Sequence, residues 1–214
     1  MPLNSFEIRK CNSCGLRYPQ PLLTEGHSSN PRCPACMGTT RLILSQNLFT
    51  EPQAHHSSAG LPKRTCAVLL DNIRSAWNTG SILRTADGFS YAHAYLCGIT
   101  STPDNESVKK TSLGAENSVS WTYHKDAVVL VQDLKAQGWS ITALEEYEKA
   151  TQLADAQNQN IKNNTLLIVG NETTGVDPHL LDLCDAIYHI PMHGEKKSFN
   201  VAIAFGIAAY TLKN

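Results

Sequence analysis

Several things are missing from this chain, and each absence narrows what it can be. No apolar run approaches the roughly 20 residues that span a bilayer, so no helical membrane anchor is expected. The start, Met1-Pro-Leu-Asn-Ser-Phe-Glu7, has no basic-then-apolar leader character, and a cytoplasmic protein is expected. Charge of either sign is not in excess: 18 Lys and Arg face 19 Asp and Glu, a net of −1, which excludes a bulk-basic nucleic-acid binder. No G-x-G-x-x-G follows the first apolar strand, and there is no Walker A pattern and no nucleophile elbow. These gaps argue against a Rossmann dinucleotide site, a P-loop and an α/β-hydrolase. Internal repeats and low-complexity segments are also lacking.

What is present begins with cysteine. Cys11-Asn-Ser-Cys14 and Cys33-Pro-Ala-Cys36 form two C-x-x-C pairs, the spacing of a zinc ribbon in which four thiolates share one tetrahedral ion. Gly15 and Gly38 follow the pairs, where such turns often need positive φ. A segment this short buries too little apolar surface to fold alone, so a metal staple is physically sensible. Two disulfides, or a redox C-x-x-C, are the alternatives. The missing secretion signal weighs against the first, and the presence of two pairs against the second. With all four positions filled, such a zinc is structural. His27 is the one substitute ligand, while His55-His56 fall in a Ser/Pro/Gly/Ala-rich linker. Cys66, Cys97 and Cys184 sit in apolar surroundings and read as small buried hydrophobes. Residues 1–45 carry five basic against two acidic side chains, net +3, leaving −4 for the remainder. A basic appendage on an acidic body hints at a polyanionic partner. The expected division is a zinc ribbon over 1–45, a linker over 46–64 and one α/β domain over 65–214.

From Thr65 onward short apolar runs alternate with helical patterns. Strands are expected at Cys66–Leu70, Tyr95–Ile99, Trp139–Leu144, Thr165–Val169 and Ala186–Ile190. Helices are expected at Ile82–Phe89, Lys125–Gln137, Pro178–Cys184 with Asp177 as cap, and Phe199–Leu212 capped by Ser198. That alternation implies α/β architecture: a mostly parallel sheet with helices on both faces. The last helix is apolar on nearly every side, which predicts burial.

Ligands of such sheets collect at strand ends, and three loops there carry chemistry. In the first, Gly80 and a helix N-terminus offer N–H groups to an anion, with Asn78 nearby and Arg84 one turn on. Read alone, this loop is better explained as a surface arginine on a capped helix than as a phosphate clamp. The second is Ile168-Val-Gly-Asn-Glu-Thr-Thr-Gly175, whose two glycines permit close backbone approach. The third runs from Ile190 to Val201.

Together the loops resemble the motifs of the SpoU-type (TrmH-like) RNA 2′-O-ribose methyltransferases of the SPOUT class. The matching residues are Asn78-x-Gly80-x-Ile82-x-Arg84-Thr-Ala, Val169-Gly-Asn-Glu172-x-x-Gly175 and Ile190-Pro-Met-x-Gly194-x-x-x-Ser198-x-Asn200-Val201. The segment Val108–Glu116 is similar as well, and the likeness spans residues 65–214. Phe199 stands where the family usually has Leu, and Ala202 where Ser is common.

The resemblance implies a C-terminal trefoil knot, a homodimer, S-adenosylmethionine as cofactor and tRNA or rRNA as partner. It implies cofactor contacts at Leu144, Gly170, Asn171, Glu172, Gly175, Ile190, Met192, Ser198 and Val201. Arg84, Asn78, Glu172, Ser198 and Asn200 would surround the acceptor ribose, with Lys109-Lys110 and Lys196-Lys197 able to touch RNA backbone. A catalytically silent knotted RNA-binding protein is the alternative, and a zinc-ribbon adaptor on an unrelated α/β enzyme a third reading.

Overall fold

A computed structural model of the chain describes residues 5–22, 31–47, 65–158 and 164–213. The chain divides into two compact units, Met1–Gly60 and Leu61–Asn214. In the first, β1 (Ser5–Cys11), β2 (Arg17–Leu22) and β3 (Thr40–Asn47) form an antiparallel sheet in the order β2-β1-β3. The C-x-x-C pairs lie at the end of β1 and in the turn before β3. Gly15 takes the expected positive φ (77°), but after the second pair it is Met37 that does so (60°), not Gly38. Gly38 is small for another reason, since a Cβ there would press on Ser13 Oγ. The expected linker and His27, His55 and His56 lie outside the described residues, except that Gln46 and Asn47 close β3.

The second unit is built on a seven-stranded sheet. Its members are β4 (Cys66–Asp71), β5 (His93–Cys97), β6 (Ser120–His124), β7 (Ser140–Leu144), β8 (Thr151–Gln152), β9 (Thr165–Val169) and β10 (Ala186–His189). The order is β6-β5-β4-β9-β7-β10-β8, and every described pairing is parallel. The central strands are apolar throughout because both faces are covered. On one face Val68, Leu70, Leu167 and Val169 pack against α1 (Ala76–Gly88) and the last helix. On the other, Ala67, Leu69, Ile141 and Ile168 meet α3 (Ala127–Ala136) and α4 (Pro178–Leu183). A short α2 (Glu106–Ser112) lies against α1, and α5 (Val201–Lys213) ends the chain.

Local capping sets the boundaries. Asp126 accepts from the N–H groups of Val128 and Val129, and Asp177 caps α4 with Pro178 in the first position. Ser75 caps α1, which therefore begins six residues before the expected Ile82. Gly80 does not stand at a helix start offering N–H groups to an anion. It is buried inside α1, where any Cβ would overlap Thr111 Oγ1 and the Val108 carbonyl of α2. Its smallness is what lets the two helices touch. Ser198 does not cap α5 either. Asn200 does, its Oδ1 accepting from Ala202 (3.0 Å) and Ile203 (3.4 Å), so the helix starts at Val201. Nor is α5 buried all round. Phe205, Ala208 and Ala209 are inside, while Ile203 and Tyr210, seven residues apart on one face, are 57% and 61% exposed. Of the three other cysteines, Cys97 is fully buried and Cys66 and Cys184 half-buried; burial pushes the thiols of Cys97 and Cys184 up to about 12.

The Gly80 contact gives a clear expectation. Gly80→Ala should force α1 and α2 apart and cost about 1–3 kcal/mol, despite the better helix propensity of alanine. Thermal unfolding followed by circular dichroism checks this; a melting point unchanged or raised would contradict the packing role.

Candidate active site

Four loops leave the carboxyl ends of adjacent strands and converge. The β9 loop is the tightest. Asn171 and Gly175 exchange backbone hydrogen bonds (3.1 and 2.9 Å), and Asn171 Oδ1 accepts from the N–H groups of Thr173 and Thr174. Gly175 sits at φ 74°, and a Cβ on Gly170 would run into the backbone of Gly175 and Val176. Both glycines are therefore dictated by the turn itself. Asn171 Nδ2 also donates to the Asn72 carbonyl (2.7 Å), tying this loop to the one after β4.

Glu172 makes the second tie. Its carboxylate accepts from the N–H groups of Arg74 (2.8 Å) and Ser75 (3.1 Å) and from Asn78 Nδ2 (2.8 Å). Burial pushes its pKa up, but these donors outweigh it and hold the carboxyl below its ordinary value. Asn78 Oδ1 in turn accepts from Asn200 Nδ2 (3.1 Å). The residue before α5, one in the first turn of α1 and one from the β9 loop are thus joined in a single line, Asn200 to Asn78 to Glu172. Beneath it the buried Asp71 accepts from Asn72 Nδ2 (2.7 Å) and the Asp177 N–H (2.9 Å), and burial raises its pKa.

A cleft of about 310 Å³ opens among these loops. Leu144, Gly170, Asn171, Glu172, Gly175, Ile190, Met192, Ser198 and Val201 all line it, as does Asn200. Asn78 stands just behind, held to Glu172 and Asn200. Arg84 does not line the cleft. It is exposed on α1, six residues beyond Asn78, and its side chain makes no hydrogen bond or ion pair to another described residue. Residues that the motifs did not single out also line the walls, among them Glu145, Glu146, Thr173, His189 and Ala204. Their only sequence signal is position, immediately after or at the ends of β7, β9 and β10 or in the first turn of α5. Among the described residues, the one buried side-chain polar atom with no hydrogen-bond partner is His189 Nδ1, in this wall.

In the first unit the four sulfurs of Cys11, Cys14, Cys33 and Cys36 lie within 4.8 Å of one another. Cys11 and Cys36 are 3.4 Å apart and Cys14 and Cys33 3.7 Å. Tetrahedral zinc with bonds of about 2.3 Å needs about 3.8 Å between sulfurs, so the set is suited to one ion. The N–H groups of Cys14 and Ser13 point at the Cys11 sulfur and lower its pKa, favouring the thiolate that a metal requires.

A parallel sheet with a cleft at its carboxyl ends, walled by glycine-tight turns, is an open α/β domain with its concave surface where ligands of such sheets collect. Within that class the chain belongs to the SpoU rRNA Methylase family, which matches residues 65–210. The 23S rRNA (guanosine-2′-O-)-methyltransferase RlmB of Xanthomonas axonopodis pv. citri is 28% identical over 174 residues, covering 81% of this chain and 68% of that protein. The tRNA (guanosine(18)-2′-O)-methyltransferase of Borreliella burgdorferi is 27% identical, covering 79% and 76%. The crystal structure of AdoMet-bound rRNA methyltransferase from Sinorhizobium meliloti superposes with a TM-score of 0.64 at 25% identity, covering 70% of this chain and 56% of that one.

The bonding of Glu172 predicts a pH signature. Glu172→Gln turns an acceptor into a donor against facing N–H groups, and should cost about 1 kcal/mol, the low end for a charged hydrogen bond on an exposed group. A lowered folded pKa gives stability that is full at neutral pH and lost on acidification. The gap in melting temperature between wild type and variant should therefore be widest near pH 7 and narrow below about pH 4. A gap that widens in acid would contradict this.

Proposed function

We propose that this chain transfers the methyl group of S-adenosylmethionine to a ribose 2′-hydroxyl of tRNA or rRNA, as an enzyme of the cytoplasm. The observation that carries the reading is the Asn200–Asn78–Glu172 line at the edge of the cleft, in a chain of the SpoU rRNA Methylase family. The residues present fit the cofactor. The cleft has a small-molecule volume, apolar surface at Leu144, Ile190 and Met192, main-chain polar edges, and a buried His189 nitrogen without a partner. When bound, the cofactor supplies a methyl on a sulfonium: the S–CH₃ bond breaks to leave a neutral thioether as the O–CH₃ bond forms.

The protein's share is positioning. Since charge is neutralised as the methyl moves in line, alignment matters more than polarisation. Glu172 has its oxygens committed to three donors, so it fixes the loops and does not take the hydroxyl proton. Asn78, Ser198 and Asn200 orient the ribose. Arg84 brings a guanidinium, a fixed positive fork of donors and not a base. It grips the adjacent phosphate and stabilises the developing alkoxide, while a phosphate oxygen or water takes the proton.

A homodimer completes this site. The exposed Ile203 and Tyr210 supply an apolar face on α5, which packs beside α1, and a second copy covering that face brings its Arg84 toward the cleft. The family's trefoil knot belongs to the same reading, and the packing of α5 on Leu153–Asn158 and β7 supports a C-terminus drawn through the preceding loop. Residues 1–47, through the end of β3, serve as a structural zinc ribbon and the stretch to 64 as a linker to the catalytic domain, 65–214. Lys109-Lys110 and Lys196-Lys197 contact RNA backbone.

Tritium transfer from labelled S-adenosylmethionine to total RNA tests the activity, and no transfer to any RNA would overturn it. Arg84→Lys should lose at least 90% of transfer and keep cofactor affinity by isothermal titration, while sedimentation gives twice the chain mass of 23.4 kDa. Full activity in that variant would remove the role given to Arg84. Metal analysis should find one zinc per chain, and Cys33→Ser should lose it along with the cooperative melting of the ribbon.

A further inference from the structure

Three carboxylates line the cleft, and they differ in what is left for a ligand. Glu172 is committed to Arg74, Ser75 and Asn78. Glu145 is committed as well: its Oε2 accepts from the Val176 N–H (2.8 Å) and its Oε1 from the Glu146 N–H (2.9 Å). Glu146 accepts no hydrogen bond from a described residue, and its side chain is 68% exposed at the rim. Its neighbour across the wall is His189, whose Nδ1 lies 3.9 Å from Glu146 Oε2, beyond hydrogen-bond reach. That nitrogen is shut off from solvent and has no partner. A buried nitrogen in this state costs free energy that a shift of about 1 Å by the carboxylate would recover.

We infer that Glu146 and His189 form a clamp for the ribose of the cofactor. His189 Nδ1–H donates to one Glu146 oxygen and steers the carboxylate over the cleft. The other oxygen accepts from the ribose hydroxyls, as carboxylates do at the ends of parallel strands in nucleoside-binding domains. His189 is the positioning residue and Glu146 the contacting one. Glu146 follows β7, the strand beside β9, which carries Glu172. Both clamp residues line the same cleft as Leu144, Gly170 and Ile190. This rests on the reading of the cleft as an S-adenosylmethionine site.

Isothermal titration with two probes tests it: 5′-methylthioadenosine, which has the ribose and no methionyl group, and S-adenosylhomocysteine. Glu146→Gln and His189→Phe should each weaken both probes by about tenfold, and the double variant no more than either alone. His189→Asn, which keeps a donor near the Nδ1 position, should stay within about threefold of wild type. The 3′-deoxy form of methylthioadenosine should bind wild type about tenfold more weakly, and Glu146→Gln should be indifferent to the missing hydroxyl. In wild type, the ¹⁵N shift of His189 Nδ1 should move on adding methylthioadenosine, a readout independent of how the variants fold. Loss confined to S-adenosylhomocysteine would assign Glu146 to the ammonium and overturn the clamp, as would additive losses or unaltered affinities. Wild type that binds neither probe would bring down the cofactor site itself, whereas wild-type binding with insensitive variants would refute the clamp alone.

Discussion

A single carboxylate holds together what the chain keeps nearly 100 residues apart. Glu172 projects from the loop after β9 and takes hydrogen from the backbone just before α1, where N–H groups would otherwise point at solvent unpaired. A negative charge there is also favoured by the partial positive charge of the helix start. Asn78 passes the hold on to Asn200, the residue that begins α5. The three loops are consequently not three independent structures that happen to meet. Each is ended or started by a side chain whose other partner lies in the next loop, and the cleft is what remains between them.

This arrangement explains why some residues were legible in the sequence and others were not. The strands β4 and β9 read directly because apolar runs buried on both faces leave little alternative, and α4 read directly because Asp177 and Pro178 are local signals. The start of α1 was hidden by Gly80, which was read as lying at the helix start and is in fact the contact point with α2. Ser198 looked like the cap of α5 because serine caps helices, yet Asn200 occupies the place, its amide divided between its own helix and Asn78. Strand β6 was missed for a different reason. It is an edge strand whose Ser120, Thr122 and Tyr123 face solvent, so no apolar pattern marks it.

The candidate site was legible mostly through motif resemblance. The resemblance singled out Asn78, Glu172 and Asn200, and the folded chain sets them in hydrogen-bonded line. Glu145, Glu146 and His189 carry no such signature. A carboxylate after a strand is common, and only the partners of each oxygen distinguish Glu145, spent on Val176, from Glu146, which is not. Arg84, which the motif resemblance also singles out, stands apart from the cleft in the single chain, exposed on α1.

The pairing order of the sheet has a consequence for how the molecule is made. β4 lies at the centre, yet its partner on one side, β9, is translated about 100 residues later. At ordinary rates of synthesis, about 5–20 residues per second, that edge stays open for roughly 5–20 s. During this interval Val68, Leu69 and Leu70 present an unpaired apolar ribbon to the crowded exterior of the ribosome. Long-range parallel pairing is slow for the same reason, so this edge stays open to wrong partners until the last quarter of the chain has emerged.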